Sequence, residues 1–491
     1  MLLLCFYQLP NNTRPPSNRS RSTPIHVLNN DSLLIVFSFC RPPLLDGDDV
    51  PDLRILQGGE WGRERWWYEL VHVCRRWRFL ILQSAIYLRL RLVCTYGTPV
   101  ADMLAHSPSL PLVIDYVDRY QEFSAEDEER ITVALQHHDR VRRFRVRMPL
   151  LTLRRLIMIM ENEFPMLEYL YIAPEKTDDT TITLPPTFHA PQLRQLILIN
   201  FAHPIRSPLF ATAIGLVTLS LDHIHPSAYF NPHDLLTRLS HMPQLETLGI
   251  TFHSPVPNSV LGTQLLEMPI IPRVTLPNLR WFAFGGDCAY LEALLPQLDT
   301  PLLERLHIIF FNRLTFSVPC LLQFMGTTEH LRFSIVTVSF LGPVVLVRAF
   351  PREGAKADTF YMHVSCKPLD WQVACVAQIF TTLSSAFSAV ERLSLEYGKH
   401  EPSSEGDDDV DPTEWRVLLG SFGNVKTLLI DDGLVRDLSL SLKLGDEEPP
   451  QGLLPQLKEL VYSASDNAGD AFTSFIRACQ IAGRPVSLIR R

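Results

Sequence analysis

Apolar residues fall in two rhythms along this chain. In the run 66–80 (WWYELVHVCRRWRFL), Leu70, Val73, Cys74, Trp77 and Leu80 stand at i, i+3, i+4, i+7 and i+10, one apolar face at helical period. Arg75, Arg76 and Arg78 lie off that stripe and stay solvated. Upstream, Leu28, Leu33, Leu34, Val36 and Phe37 form a second apolar set. Two short helices with faces this wide must cover them against each other, the rest of the chain, or a partner. From 88 to 94 the pattern changes to alternation, the period of a strand. A helix over 99–106 and a strand over 111–115 follow, predicting a right-handed parallel crossover. Ser124-Ala-Glu-Asp127 then reads as a capping box opening a helix through about 138.

Beyond 140 one template recurs: Pro-x-Leu-x-x-Leu-x-(apolar). It begins at Pro165, Pro191, Pro243, Pro277, Pro301 and Pro455, with Val390 and Val425 opening copies that lack the proline. Fainter copies occupy 141–146 and 216–221. Spacing is mostly about 23–35 residues, near the 20–29 of leucine-rich repeats, which the pattern resembles. In each copy the first Leu tucks under the incoming turn, and the next two apolar residues point inward from a short strand. Helices are expected over 232–241, 287–298, 318–326, 371–387, 412–420 and 470–481, so that stacked copies bury the core that one copy cannot. Between 333 and 366 the rhythm breaks into three β-prone runs divided by Gly342-Pro343 and by 352–358, which predicts antiparallel hairpin strands inserted into the array or wrapped beside it.

The resulting fold class is α/β: an N-terminal helical unit, then an irregular repeat solenoid with a parallel sheet on its concave face. The domain boundaries are a disordered tail 1–24, a helical domain 25–87 carrying a loop 41–65, and a solenoid 88–491. Residues facing outward from the concave strands are the candidate target-binding set: Tyr169, Tyr171, Trp281, Arg305, His307 and Arg392. Tyr, Trp and Arg combine large contact area with a polar handle.

Composition narrows the function. The 491 residues are 46% hydrophobic and carry a formal net charge of −8, which argues against a nucleic-acid partner. The nine cysteines are scattered without a Cys-x-x-Cys, so they read as buried thiols of a reducing compartment, with no zinc site and no cofactor. The apolar start 1–10 lacks the basic flank of a signal peptide. No run reaches the length of a membrane span. Hydrolase, metalloprotease, phosphate-loop and kinase motifs are all missing, so the chain is not expected to be an enzyme. The acidic run 401–411 reads as a solvated loop.

One resemblance gives these parts a purpose. Leu28, Asp31, Leu33-Leu34 and Val36-Phe37, followed by Val73-Cys74-Arg75-Arg76-Trp77-Arg78, resemble an F-box of the form common in mushroom-type fungi. Asn29 stands where that pattern has Pro, Ile35 where it has a polar residue, and the spacer is long. The resemblance covers about 25–82. It implies docking of a Skp-type adaptor within a cullin-based, SCF-type ubiquitin ligase through Leu28, Leu33, Leu34, Val36, Phe37, Val73, Cys74 and Trp77, with some of them also packing internally. The repeats would hold an unidentified target protein, in the cytoplasm or nucleus. The alternative is a repeat scaffold outside any ligase, with a degenerate F-box.

Overall fold

A computed structural model describes residues 27–41, 65–117, 121–176, 182–202, 205, 207–254, 273–311, 317–355, 357–366, 369–398, 411–443, 453–463 and 471–490. The expected tail 1–24, nearly all of the inserted loop 41–65 and the acidic run to 410 lie outside them. The fold is α/β with mostly parallel strands, and the chain forms two compact units. The first comprises Met1–Asp178 with Leu184–Gln195, the second Asp179–Thr183 with Leu196–Arg491.

The first unit opens with three helices: α1 (Asn30–Cys40), α2 (Trp66–Val71) and α3 (Arg75–Gln83). Asn29 caps α1, its Oδ1 accepting from the Ser32 N–H at 2.8 Å. The continuous helix expected over 66–80 is in fact two. Cys74 sits in extended backbone at φ −161° and caps α3, its sulfur accepting from the Trp77 N–H. Val71 and Val73, both β-branched, flank the break, and β-branched side chains lose rotamer freedom in a helix.

Strand and helix then alternate: β1 (Leu92–Cys94), α4 (Val100–His106), β2 (Leu112–Tyr116), α5 (Ala125–Leu135), β3 (Val141–Met148), α6 (Leu150–Ile159) and β4 (Tyr169–Pro174). β1 to β4 pair in parallel and in sequence order. β1 is shorter than the alternation predicts, because Arg89 turns left-handed at φ 53° and the Leu90 N–H closes a turn onto Ala85. The capping box at Ser124 forms in full, with Asp127 returning a bond to the Ser124 N–H. The helix it opens stops at Leu135, short of the expected 138.

Next come β5 (Gln195–Ile199), α7 (Leu209–Thr212), β6 (Thr218–Ile224), α8 (Pro232–Leu239), β7 (Thr247–Phe252), β8 (Val274–Thr275), β9 (Trp281–Gly286), α9 (Cys288–Leu294), β10 (Leu298–Asp299), β11 (Arg305–Phe310) and α10 (Pro319–Thr327). The chain continues through β12 (Ile335–Leu341), β13 (Val344–Phe350), β14 (Phe360–Ser365), α11 (Leu369–Leu383), β15 (Arg392–Gly398), α12 (Pro412–Gly420), β16 (Thr427–Ile430), α13 (Val435–Ser441), β17 (Glu459–Tyr462), α14 (Thr473–Ile481) and β18 (Ser487–Arg490).

Within the second unit the sheet from β6 onward runs β6-β7-β9-β11-β14-β13-β12-β15-β16-β17-β18. β13 alone among these is antiparallel to its neighbours. The run 333–366 therefore enters the sheet itself, its outer strands pairing in parallel with β11 and β15.

Each copy of the template starts in the same way. The Leu of Pro-x-Leu donates its N–H to the carbonyl just before the Pro: Leu167 to Phe164, Leu245 to Met242, Leu279 to Leu276, Leu303 to Thr300. That is a tight turn with Pro at its second position, where the ring pre-sets φ. The strand begins two residues after that Leu, at Tyr169, Thr247, Trp281, Arg305 and Glu459. From there the side chains alternate. Leu306, Ile308 and Phe310 are buried, while Arg305, His307 and Ile309 are half-buried on the other face.

Candidate docking surface

α1 is fixed against α3 by a polar staple and an aromatic pair. Arg76 donates to the Leu28 carbonyl at 2.6 Å and to Asn30 Oδ1 at 2.9 Å. Phe37 meets Trp77 edge to face, ring centroids 4.9 Å apart. Further along, Trp67 donates its indole N–H to the Arg91 carbonyl, and Arg65 donates to Thr98 Oγ1 at 2.8 Å, tying α2 to the β1 end of the first sheet.

This packing sorts the eight residues singled out by the helical stripes. Leu33 and Phe37 are fully buried and form the helices' own core. Leu34, Cys74 and Trp77 are half-buried, and Leu28, Val36 and Val73 are exposed. Other strongly exposed apolar side chains on this segment lie outside the stripes: Phe39 at 83%, Phe79 at 65% and Ile86 at 95%. Ile35 is 51% exposed, at the position where an apolar residue stands out against the family pattern. Asp31, Leu34, Ile35, Leu82, Ile86 and Tyr87 line an open cleft of about 780 Å³. These exposed apolar side chains, on helices this well fastened, form the candidate surface.

The strand-borne candidates separate by unit. Tyr169 and Tyr171 stand on β4 in the first. Their neighbours on β3 are Arg143 and Arg145, in register, with guanidinium-to-ring distances of 4.5 and 5.7 Å. In the second unit Trp281, Arg305 and His307 come together on adjoining strands: Arg305 pairs with Trp281 in register, and the His307 ring lies 5.5 Å from the indole. His307 also neighbours Tyr361 at 5.3 Å and Asp358, Nε2 to Oδ1, at 3.4 Å. Trp281 is buried, against the expectation that it faces outward into solvent. A β-carbon at Gly249 would crowd Ser220 Oγ at 2.9 Å, while Trp281 Cζ3 would lie at an ordinary 3.6 Å. Arg392 does not join this group. Three strands separate β15 from β11, and Arg392 is ion-paired with Glu353.

The eight described cysteines are free, and five of them are buried. Burial pushes the Cys94 thiol up to about 12, which leaves it neutral and unreactive. Among the described residues no group of His, Cys, Asp and Glu is placed to hold a metal, and no helix is long and apolar enough to cross a membrane. In comparisons with known proteins, no family model and no curated protein matches this chain.

Proposed function

We propose that this chain is the target-recruiting subunit of an SCF-type, cullin-based ubiquitin ligase. Its three N-terminal helices act as an F-box that docks a Skp-type adaptor, and its strand-and-helix copies act as an irregular leucine-rich-repeat array that holds a target protein. The observation that carries this is the apolar surface left uncovered on helices whose own core, Leu33 and Phe37, is already complete. The repeated tight turns and the parallel pairing of the copies support the second half. In this reading the chain makes and breaks no bond. It raises the effective concentration of a target lysine beside the charged ubiquitin carrier, with no nucleic acid or membrane involved, in the cytoplasm or nucleus.

The cleft residues give the test, since Trp77 also packs inside the unit. With a purified Skp-type adaptor, the wild-type chain retains it through affinity capture. The double variant Ile35→Asp, Ile86→Asp loses retention by about tenfold or more, because each change places a charge in an apolar contact. Its melting temperature stays close to wild type, as both side chains are solvated in the free chain. Failure of the wild-type chain to hold the adaptor, or equal retention by the folded double variant, removes the ligase reading.

A further inference from the structure

On β3, alternate residues Arg143, Arg145 and Arg147 point to the same side of the first sheet, beside Asp115 on β2 and Tyr169 and Tyr171 on β4. That face carries three guanidinium groups against one carboxylate. The carboxylate is committed: Asp115 is fully buried and its Oδ2 lies 3.5 Å from Arg145 Nη1, with Arg145 itself only 3% exposed. Arg143 and Arg147 are half-buried and have no acidic partner among the described residues. Arg143 lies over the Tyr169 ring, and Arg147 reaches only the Glu175 carbonyl, at 3.4 Å. The Tyr169 hydroxyl is buried without a hydrogen-bond partner among the described residues. A buried hydroxyl donor beside the unpaired Arg143 favours a ligand group that accepts a hydrogen bond and carries negative charge. Burial also pushes the Tyr169 hydroxyl upward, so it stays a donor at neutral pH.

We propose that this face binds an extended acidic segment of a partner protein, laid along β3, with carboxylates meeting Arg143 and Arg147 and one of them accepting from the Tyr169 hydroxyl. The spacing suits such a ligand. Four residues along a strand span about 13 Å, and an extended peptide repeats its side chains on one side at the same interval. Arg145, already neutralised by Asp115, holds the middle of the row rigid. Nucleic acid fits less well, because the chain as a whole carries −8. The proposal rests on the reading that the strand faces hold a target, but it does not depend on the adaptor.

The experiment uses the full chain without adaptor and a fluorescein-labelled peptide with aspartate at alternate positions, followed by fluorescence anisotropy. The aspartate peptide binds, and its affinity falls as salt rises. The same peptide with asparagine in place of aspartate binds about tenfold more weakly or worse. Arg143→Gln with Arg147→Gln costs a similar factor, while Arg142→Gln, whose side chain is turned to Glu168 instead, leaves binding unchanged. Tyr169→Phe weakens the aspartate peptide and not the asparagine one. Equal binding of the two peptides, full binding by the folded double variant, or preference for a short single-stranded RNA over the aspartate peptide overturns the proposal. Adaptor capture, scored separately on the same preparations, tells a failure here from a failure of the ligase reading.

Discussion

The residues that matter most at the smallest scale are those whose partners can be named. Glu128 on α5 accepts from Arg155 Nε and Nη2 on α6, one at each carboxylate oxygen and each at 2.7 Å. That paired, charge-assisted contact holds the Glu128 carboxyl below its ordinary range, with the Arg155 hydrogen bonds the largest cause. A carboxylate depressed in the folded state adds stability that is present at neutral pH and lost as pH falls through the folded value. Replacing Arg155 with Met should return Glu128 to the usual carboxylate range in an NMR titration and flatten the acid limb of the stability curve. An unchanged Glu128 titration would show that the pair does not form in solution. Other side chains at this scale were partly readable from periodicity: Phe37 and Trp77 belong to the set expected to dock an adaptor, some of it also packing internally, and these two rings meet each other. Cys74 was not. A cysteine in a helical stripe carries no sign that it will leave the helix and cap the next one, because that role depends on backbone angles rather than on side-chain type. The strand that carries the β3 arginines was legible only as a faint copy of the template, and the meaning of those arginines required knowing that β4 lays two tyrosines beside them.

At the scale of the element, the repeated turn does more than start a strand. The residue after each template Leu donates its N–H to the matching residue of the preceding copy: Arg280 to Glu246, Glu304 to Arg280, Lys426 to Glu391 and Lys458 to Lys426. Several of their side chains alternate in sign along this edge, with Arg280 to Glu304 at 2.6 Å and Lys426 to Glu391 at 2.6 Å. Complementary charges on neighbouring copies favour one stacking register over its slipped alternatives. Arg280→Glu would place three acids in a row and should cost about 1 kcal/mol in urea unfolding, less at high salt. No loss at low salt would mean that the ladder is held by its backbone alone. The strands and most helices of the repeats were visible in sequence because proline, leucine spacing and strand period all agree there. The insertion was visible as strands too, and Gly342 supplies the positive φ of 40° that its tight reversal uses. Its place in the middle of the sheet was not, since the order β11-β14-β13-β12-β15 depends on which edges are left open after the other strands pair.

At the scale of the whole molecule, the two kinds of surface ask for different partners. The helices present exposed apolar side chains with Asp31, Arg75 and Arg78 around them, suited to a contact with an apolar centre and a polar rim. The sheet faces present arginine, tyrosine and histidine, suited to a partner read by its polar groups. The central claim is that the N-terminal helices are an adaptor-docking surface. Hydrogen–deuterium exchange on the full chain, with and without a purified Skp-type adaptor, tests it most directly. The account predicts slowed exchange in α1, α3 and the turn through Ile86 and Tyr87, with the strands of both units unchanged. No slowing anywhere at saturating adaptor, or slowing confined to the strands, would contradict it.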